Sequence, residues 1–205
     1  LHFYNGCNLI RVEAVASTQE DGVCYLYHGG LNGFKPDKLY YVTPKHREVL
    51  ENPGYRTNAG PDRDRERVYA RGRVLTLQQP HGAVAVMPTP HRFVWGGQTE
   101  NNVGYNYYNL EKSGKFSIGV RHNKEQEHHN VRWPLYNAKP GTMQRMSFFL
   151  VVNSGTVYAT RSMAMQYTNF DHLRPLDGYK RLGSHMHIAS QAAFPRDYRK
   201  QRPWE

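Results

Sequence analysis

The sequence predicts a mainly β chain: an antiparallel two-sheet β-sandwich, followed by a short helix and linker and then the start of an α/β, barrel-type domain. Three observations carry this reading. Apolar and polar residues alternate with period two in many short segments, turn residues recur between those segments, and the alternation fades after about residue 156. Alternate residues of a strand point to opposite faces, so each such segment offers one face to a core. Many short strands separated by Gly and Pro turns cover each other best as two packed sheets.

Taken in order, the predicted strands are Leu9 to Val15, Val23 to His28, Lys38 to Val42, Arg67 to Leu77, Ala83 to Pro88, Arg92 to Trp95, Gly104 to Tyr108, Phe116 to Arg121 and Arg145 to Asn153. Between them, pairs such as Gly29-Gly30, Gly60-Pro61, Gly96-Gly97 and Pro140-Gly141 turn the chain through a positive or a fixed φ. A helix is predicted at Lys45 to Glu51. A second falls within Val157 to Phe170, where Ala159, Met163, Ala164 and Met165 favour helical backbone. Pro175 and Gly178 then break any regular element. The implied organisation is a sandwich over 1–156, a helix and linker over 157–178, and the beginning of another domain over 179–205.

Composition agrees with a packed β structure. The chain is 39% hydrophobic and 13% aromatic, with 15 Tyr, and amphipathic rings suit half-buried strands and ligand-facing surfaces. No stretch approaches the roughly 20 apolar residues that a membrane-spanning helix needs, since Ser147 interrupts the longest apolar run. The chain starts at Leu1 and stops after Arg199-Lys200-Gln201-Arg202 and Pro203-Trp204-Glu205 without a closing element, so both ends read as cut from a longer, exported protein with an extracytoplasmic address. Cys7 and Cys24 are compatible with a bridge across the first hairpin or with two free thiols, and they lack zinc-site spacing.

The formal net charge of +10 is compatible with a polyanionic partner, nucleic acid or an acidic polysaccharide, and with ordinary surface charge, which is the favoured reading. Nucleic acid is disfavoured. Arg63, Arg65, Arg67, Arg71 and Arg73 are interleaved with Asp62, Asp64 and Glu66, the pattern of a solvated loop and an exposed strand face rather than of a concentrated basic footprint.

Carbohydrate fits the run His91 to Tyr108 better. Sugar recognition needs flat apolar faces for pyranose rings and amides or carboxylates for hydroxyls. Trp95 and Tyr105 supply the first; Arg92, Gln98, Glu100 and Asn102 supply the second. The competing reading makes Trp95, Tyr105 and Tyr107 alternate core residues of two strands. The histidine-rich segment His122 to His129 reads as a solvated turn, because adjacent His128 and His129 point in different directions in regular structure. Neither a Ser-His-Asp order nor a glycine-rich phosphate loop can be defended.

Beyond the linker, Tyr179 to Ala189 reads as a short strand carrying His185-Met186-His187. Two histidines two residues apart on a strand share a face and can approach one divalent ion. The string Gly178-Tyr179-Lys180, then Ser184-His185-Met186-His187, resembles the opening barrel strand of metal-dependent hydrolases of the amidohydrolase and PHP type. The match covers about 11 residues. The resemblance implies that His185 and His187 bind a divalent metal, zinc or manganese, in the full-length protein, and that the sandwich precedes a barrel. The sequence departs from the pattern at Ser184, where many relatives carry an acidic residue nearby, and it holds none of the later barrel ligands. Gly183-Ser184-His185-Met186 also matches a scar left by expression vectors, so that reading stands beside the first.

The expected function is therefore an accessory N-terminal β-sandwich of a metal-dependent hydrolase acting on carbohydrate, catalytically incomplete as it stands. Its alternatives are a non-catalytic carbohydrate-binding module and a structural or assembly subunit of a capsid or fibre.

Overall fold

The computed structural model describes residues 1–21, 28–35, 37–51, 66–92, 103–110, 115–121, 139–168 and Gly178. At His28, Glu66, Arg67, Val103, Gly104, Tyr105, Leu110 and Arg121 the description is of the backbone. Residues Leu1–His172 form one compact unit. Of the second unit, Leu173–Glu205, only Gly178 is described, with φ 82°.

Eleven strands and one helix follow each other in the described chain: β1 (His2–Phe3), β2 (Leu9–Ala16), β3 (His28–Phe34), β4 (Lys38–Val42), β5 (Glu48–Glu51), β6 (Glu66–Arg71), β7 (Leu75–Gln79), β8 (Gly82–Pro88), β9 (Val103–Leu110), β10 (Phe116–Arg121), β11 (Gln144–Asn153) and α1 (Val157–Thr168). They make a seven-stranded sheet in the order β1-β2-β11-β8-β7-β4-β5 and a four-stranded sheet in the order β3-β10-β9-β6. All pairings are antiparallel. The mainly β, two-sheet expectation is met. The barrel-type start expected after the linker lies outside the described residues.

Alternation builds the core. In the larger sheet Leu39, Tyr41, Leu75, Leu77, Val84 and Val86 face the smaller sheet, which answers with Val68, Ala70, Tyr108, Phe116, Ile118 and Val120. Tyr108 and Phe116 stack with ring centroids 5.5 Å apart. Each fully buried Leu or Phe here contributes about 1.5–3 kcal/mol relative to exposure.

The opposite face of the larger sheet is covered by α1. Ala85, Met87, Phe149 and Val151 pack against Ala164 and Met165, while Tyr40, Val42 and Ala83 pack against Val157. The buried residues of the helix, Val157, Thr160, Ala164, Met165 and Thr168, follow its 3.6-residue period. Thr156 caps the helix by accepting from the Ala159 amide at 3.3 Å, and Gln78 Oε1 of β7 accepts from the Val157 amide at 3.0 Å. The strands β4 and β8 are therefore buried on both faces along most of their length, and Leu39 to Val42 and Ala83 to Met87 read as continuous apolar runs.

Three sequence expectations change. Gly29-Gly30, expected as a turn, lies within β3, paired with Val120 and Gly119 of β10. The segment Arg67 to Leu77 is two strands in two different sheets, split by a turn in which Gly72 and Arg73 have φ of 69° and 59° and the Arg73 amide donates to Ala70 O at 3.0 Å. The left-handed backbone favours glycine at Gly72, and a Cβ there would lie 2.5 Å from Met165 Cε and push the end of that side chain aside. The expected helix at Lys45 to Glu51 is instead a tight turn and strand β5, with Tyr41 opposite Val49. Val49 packs on the inter-sheet core, and that gain outweighs the helical preference of so short a segment.

Candidate functional site

The outer face of the smaller sheet carries the chemistry-bearing residues. On β6 and β9, Val68, Ala70, Asn106 and Tyr108 are buried between the sheets, so the opposite parity belongs to the outer face. Tyr69 is 40% exposed there and Arg71 is half-buried. Strand register sets Tyr69 opposite Tyr105, Arg67 opposite Tyr107, and Arg71 opposite Val103. On the far side of β9, Tyr107 is opposite Gly119 and Asn109 is opposite Ser117. Gly119 in turn faces Gly30, and Arg121 faces His28.

Tyr107 is closed off at this face, with 5% exposure. Its ring lies across Gly119 and Gly30: a Cβ on Gly119 would sit 2.5 Å from Tyr107 Cε1 and would also strike the Gly29 carbonyl, and a Cβ on Gly30 would sit 2.8 Å from the Tyr107 hydroxyl. The two glycines thus form a floor under one aromatic ring. Among the described side chains of this face, Tyr69 is exposed and Arg71 and Asn109 are half-buried.

Beyond Arg71 the chain reaches a buried arginine. Arg73 is 1% exposed, and its guanidinium donates to Arg92 O at 2.6 Å and to Thr89 O at 3.2 Å. The Arg92 amide donates to Thr89 O at 3.3 Å, closing a turn in which His91 has φ 56°. Thr89 Oγ1 is further held 2.9 Å from Ser147 Oγ. Arg92 is itself exposed on that turn. The chain leaves the turn after Arg92 and returns at Val103 opposite Arg71, so both anchor points of the intervening segment belong to the Arg71 to Arg73 region.

The sequence-predicted sugar contacts distribute accordingly. Arg92 stands at one anchor, and Tyr105 occupies the strand position opposite exposed Tyr69. Trp95, Gln98, Glu100 and Asn102 lie outside the described residues, as do His185, His187, His172 and Cys24. Cys7 has a free thiol, its Sγ 3.6 Å from Tyr4 O. Among the described residues no group of three His, Cys, Asp or Glu side chains is placed to hold a metal ion.

Sequence reasoning missed Tyr69, Arg71 and Arg73. The sequence reading placed Arg71 and Arg73 in a solvated loop and exposed strand face. Arg73 departs from that reading, because the chain turns inward beneath the Thr89 to Arg92 carbonyls and buries the guanidinium with them.

Two charged clusters flank the sandwich. Arg161 of α1 donates to Arg71 O at 3.2 Å. Burial pulls its pKa down and the Arg71 charge adds to that, against the opposing pull of Tyr40 and Glu48. Tyr40, edge-on to Tyr158 at 4.7 Å, has its phenol pushed up by burial and by the Glu48 carboxylate. On β2, Glu13 pairs with Arg11, with Arg145 at 2.9 Å and with His2 at 3.9 Å. Burial would raise the Glu13 carboxyl, but the Arg145 hydrogen bond and the surrounding positive charges hold it below its ordinary value. Both clusters tie elements together.

No protein-family model matches the chain, and no curated protein matches it. No helix among the described residues is long and apolar enough to cross a membrane.

Proposed function

We propose that this chain is the N-terminal β-sandwich part of a metal-dependent hydrolase acting on carbohydrate, with the sandwich holding substrate and a divalent metal, zinc or manganese, bound by His185 and His187 in the full-length protein. One observation carries the carbohydrate part. The outer face of the smaller sheet exposes Tyr69 beside Arg71, at the strand position opposite Tyr105, next to the two anchors of the segment that contains Trp95, Gln98, Glu100 and Asn102. An aromatic ring bordered by hydrogen-bonding side chains is the surface that a sugar ring needs.

A non-catalytic carbohydrate-binding module is the second reading, favoured by the fact that this face belongs entirely to the compact unit Leu1–His172. The two separate in one experiment. Metal content and glycan hydrolysis are measured for the full-length protein and for its His185→Ala/His187→Ala variant. The hydrolase reading expects both to fall in the variant. Equal metal and equal hydrolysis would overturn it and leave the binding module.

A further inference from the structure

Resting on the carbohydrate reading, we infer that a second sugar-binding site, separate from the Tyr69 face, lies where α1 passes the edge strand β5, and that it takes uncharged, hydroxyl-bearing sugar rings. Tyr158 of α1 is 49% exposed and stands edge-on to Tyr40, the ring centroids 4.7 Å apart. Leu50 of β5 is directly opposite Tyr40 in the strand register and is 42% exposed. Opposite residues of an antiparallel pair share a face. Tyr158 and Leu50 therefore both border Tyr40, which is buried beneath them. The result is a notch with an aromatic wall on the helix and an aliphatic wall on the strand.

Two charged side chains belong to the same notch. Glu48 is exposed, lies two residues before Leu50 on the same face of β5, and accepts a hydrogen bond from the Tyr40 phenol. A buried donor thus holds the carboxylate in place. Arg161 follows Tyr158 by three residues, on the same side of the helix, and its charge acts on both Tyr40 and Glu48. Its Nη2 donates to Arg71 O at 3.2 Å, which fixes the guanidinium while other donors of the fork stay unspent. A sugar ring presents a face of C–H groups and a rim of hydroxyls that both donate and accept. Tyr158 and Leu50 suit the face; Glu48 accepts from the rim and Arg161 donates to it. The opposite charges decide the ligand class. A guanidinium alone would favour a carboxylate or phosphate, but Glu48 repels anions, and an apolar ligand would desolvate both charges without pairing them.

The test is retention of the chain in affinity gels cast with mixed-linkage β-glucan, dextran, galactomannan or the anionic polygalacturonate. The variants Tyr158→Ala, Glu48→Gln and Tyr69→Ala run beside the parent, each checked by thermal melt. Glu48→Gln keeps an acceptor for Tyr40 and removes the charge, so it reads the site even where Tyr158→Ala melts below the assay temperature. The parent is expected to bind at least one of the three neutral polymers, and Tyr158→Ala and Glu48→Gln should each weaken that binding on the order of tenfold, the loss of one ring contact or one charged hydrogen bond. If both bind like the parent, this site is overturned, and a loss in Tyr69→Ala alone then leaves the carbohydrate reading standing. Polygalacturonate held more tightly than the neutral polymers would likewise overturn the site as stated here. Retention by none of the four would sink the site and the carbohydrate reading together.

Discussion

Arg73 joins three properties that rarely coincide: a left-handed backbone outside glycine, near-complete burial and a charged side chain. Each has a compensation. The turn is closed by the Arg73 amide on Ala70 O, and the guanidinium takes up the carbonyls of Thr89 and Arg92. Replacing Arg73 by Ala removes those donors and leaves buried acceptors behind, which should cost about 3 kcal/mol in a urea titration. Arg92 stays exposed on its turn in the parent, so Arg92→Ala should change stability by less than about 0.5 kcal/mol. Glu13 makes a prediction about pH. Its folded pKa lies below the ordinary 4.5, so its contribution is present above pH 4.5 and is lost as pH falls through the folded value. The melting temperature of Glu13→Gln should therefore lie below the parent's at pH 7 and converge with it at strongly acidic pH. Parallel curves at all pH values would refute the assignment.

At the scale of elements, parity is the organising quantity. Buried Val68 and Ala70 on β6 are even-numbered, whereas Leu75 and Leu77 on β7 are odd-numbered. A single strand cannot keep both sets on one face, so the chain must turn between them. That signal was present in the sequence and marks where the expected strand Arg67 to Leu77 divides. The loss of the expected helix at Lys45 to Glu51 has another cause: pairing with β4 and the packing of Val49 decide it, and neither is local. Gly119 tests the element-scale account of the smaller sheet. Gly119→Ala should destabilise by about 3 kcal/mol, because its Cβ meets the Gly29 carbonyl and the Tyr107 ring together and backbone cannot move aside as a side chain can. Chemical denaturation of the purified variant measures this directly, and a change under about 1 kcal/mol would mean that the strands separate without cost there.

At the largest scale, the unit Leu1–His172 stacks three layers: the four-stranded sheet, the seven-stranded sheet and α1. The sequence reading drew the sandwich over 1–156 and put the helix with the linker that follows. In the structure the helix Val157–Thr168 covers Ala85, Met87, Phe149 and Val151, a continuous apolar face. A chain ending at Thr156 should consequently expose that face, bind a hydrophobic dye such as ANS and melt well below a chain ending at Thr168. Identical melts and no dye binding would show that the helix is dispensable. By itself the sequence determined the mainly β character, most strand bounds and the position of the helix, because period-two alternation, turn residues and helix-favouring side chains act locally. The tertiary structure decided which strands share a sheet and that Arg73 is buried while Tyr69 is exposed. Those outcomes depend on which strand lies beside which and on what covers each face, and contacts between residues far apart in sequence leave no periodic signal in either partner.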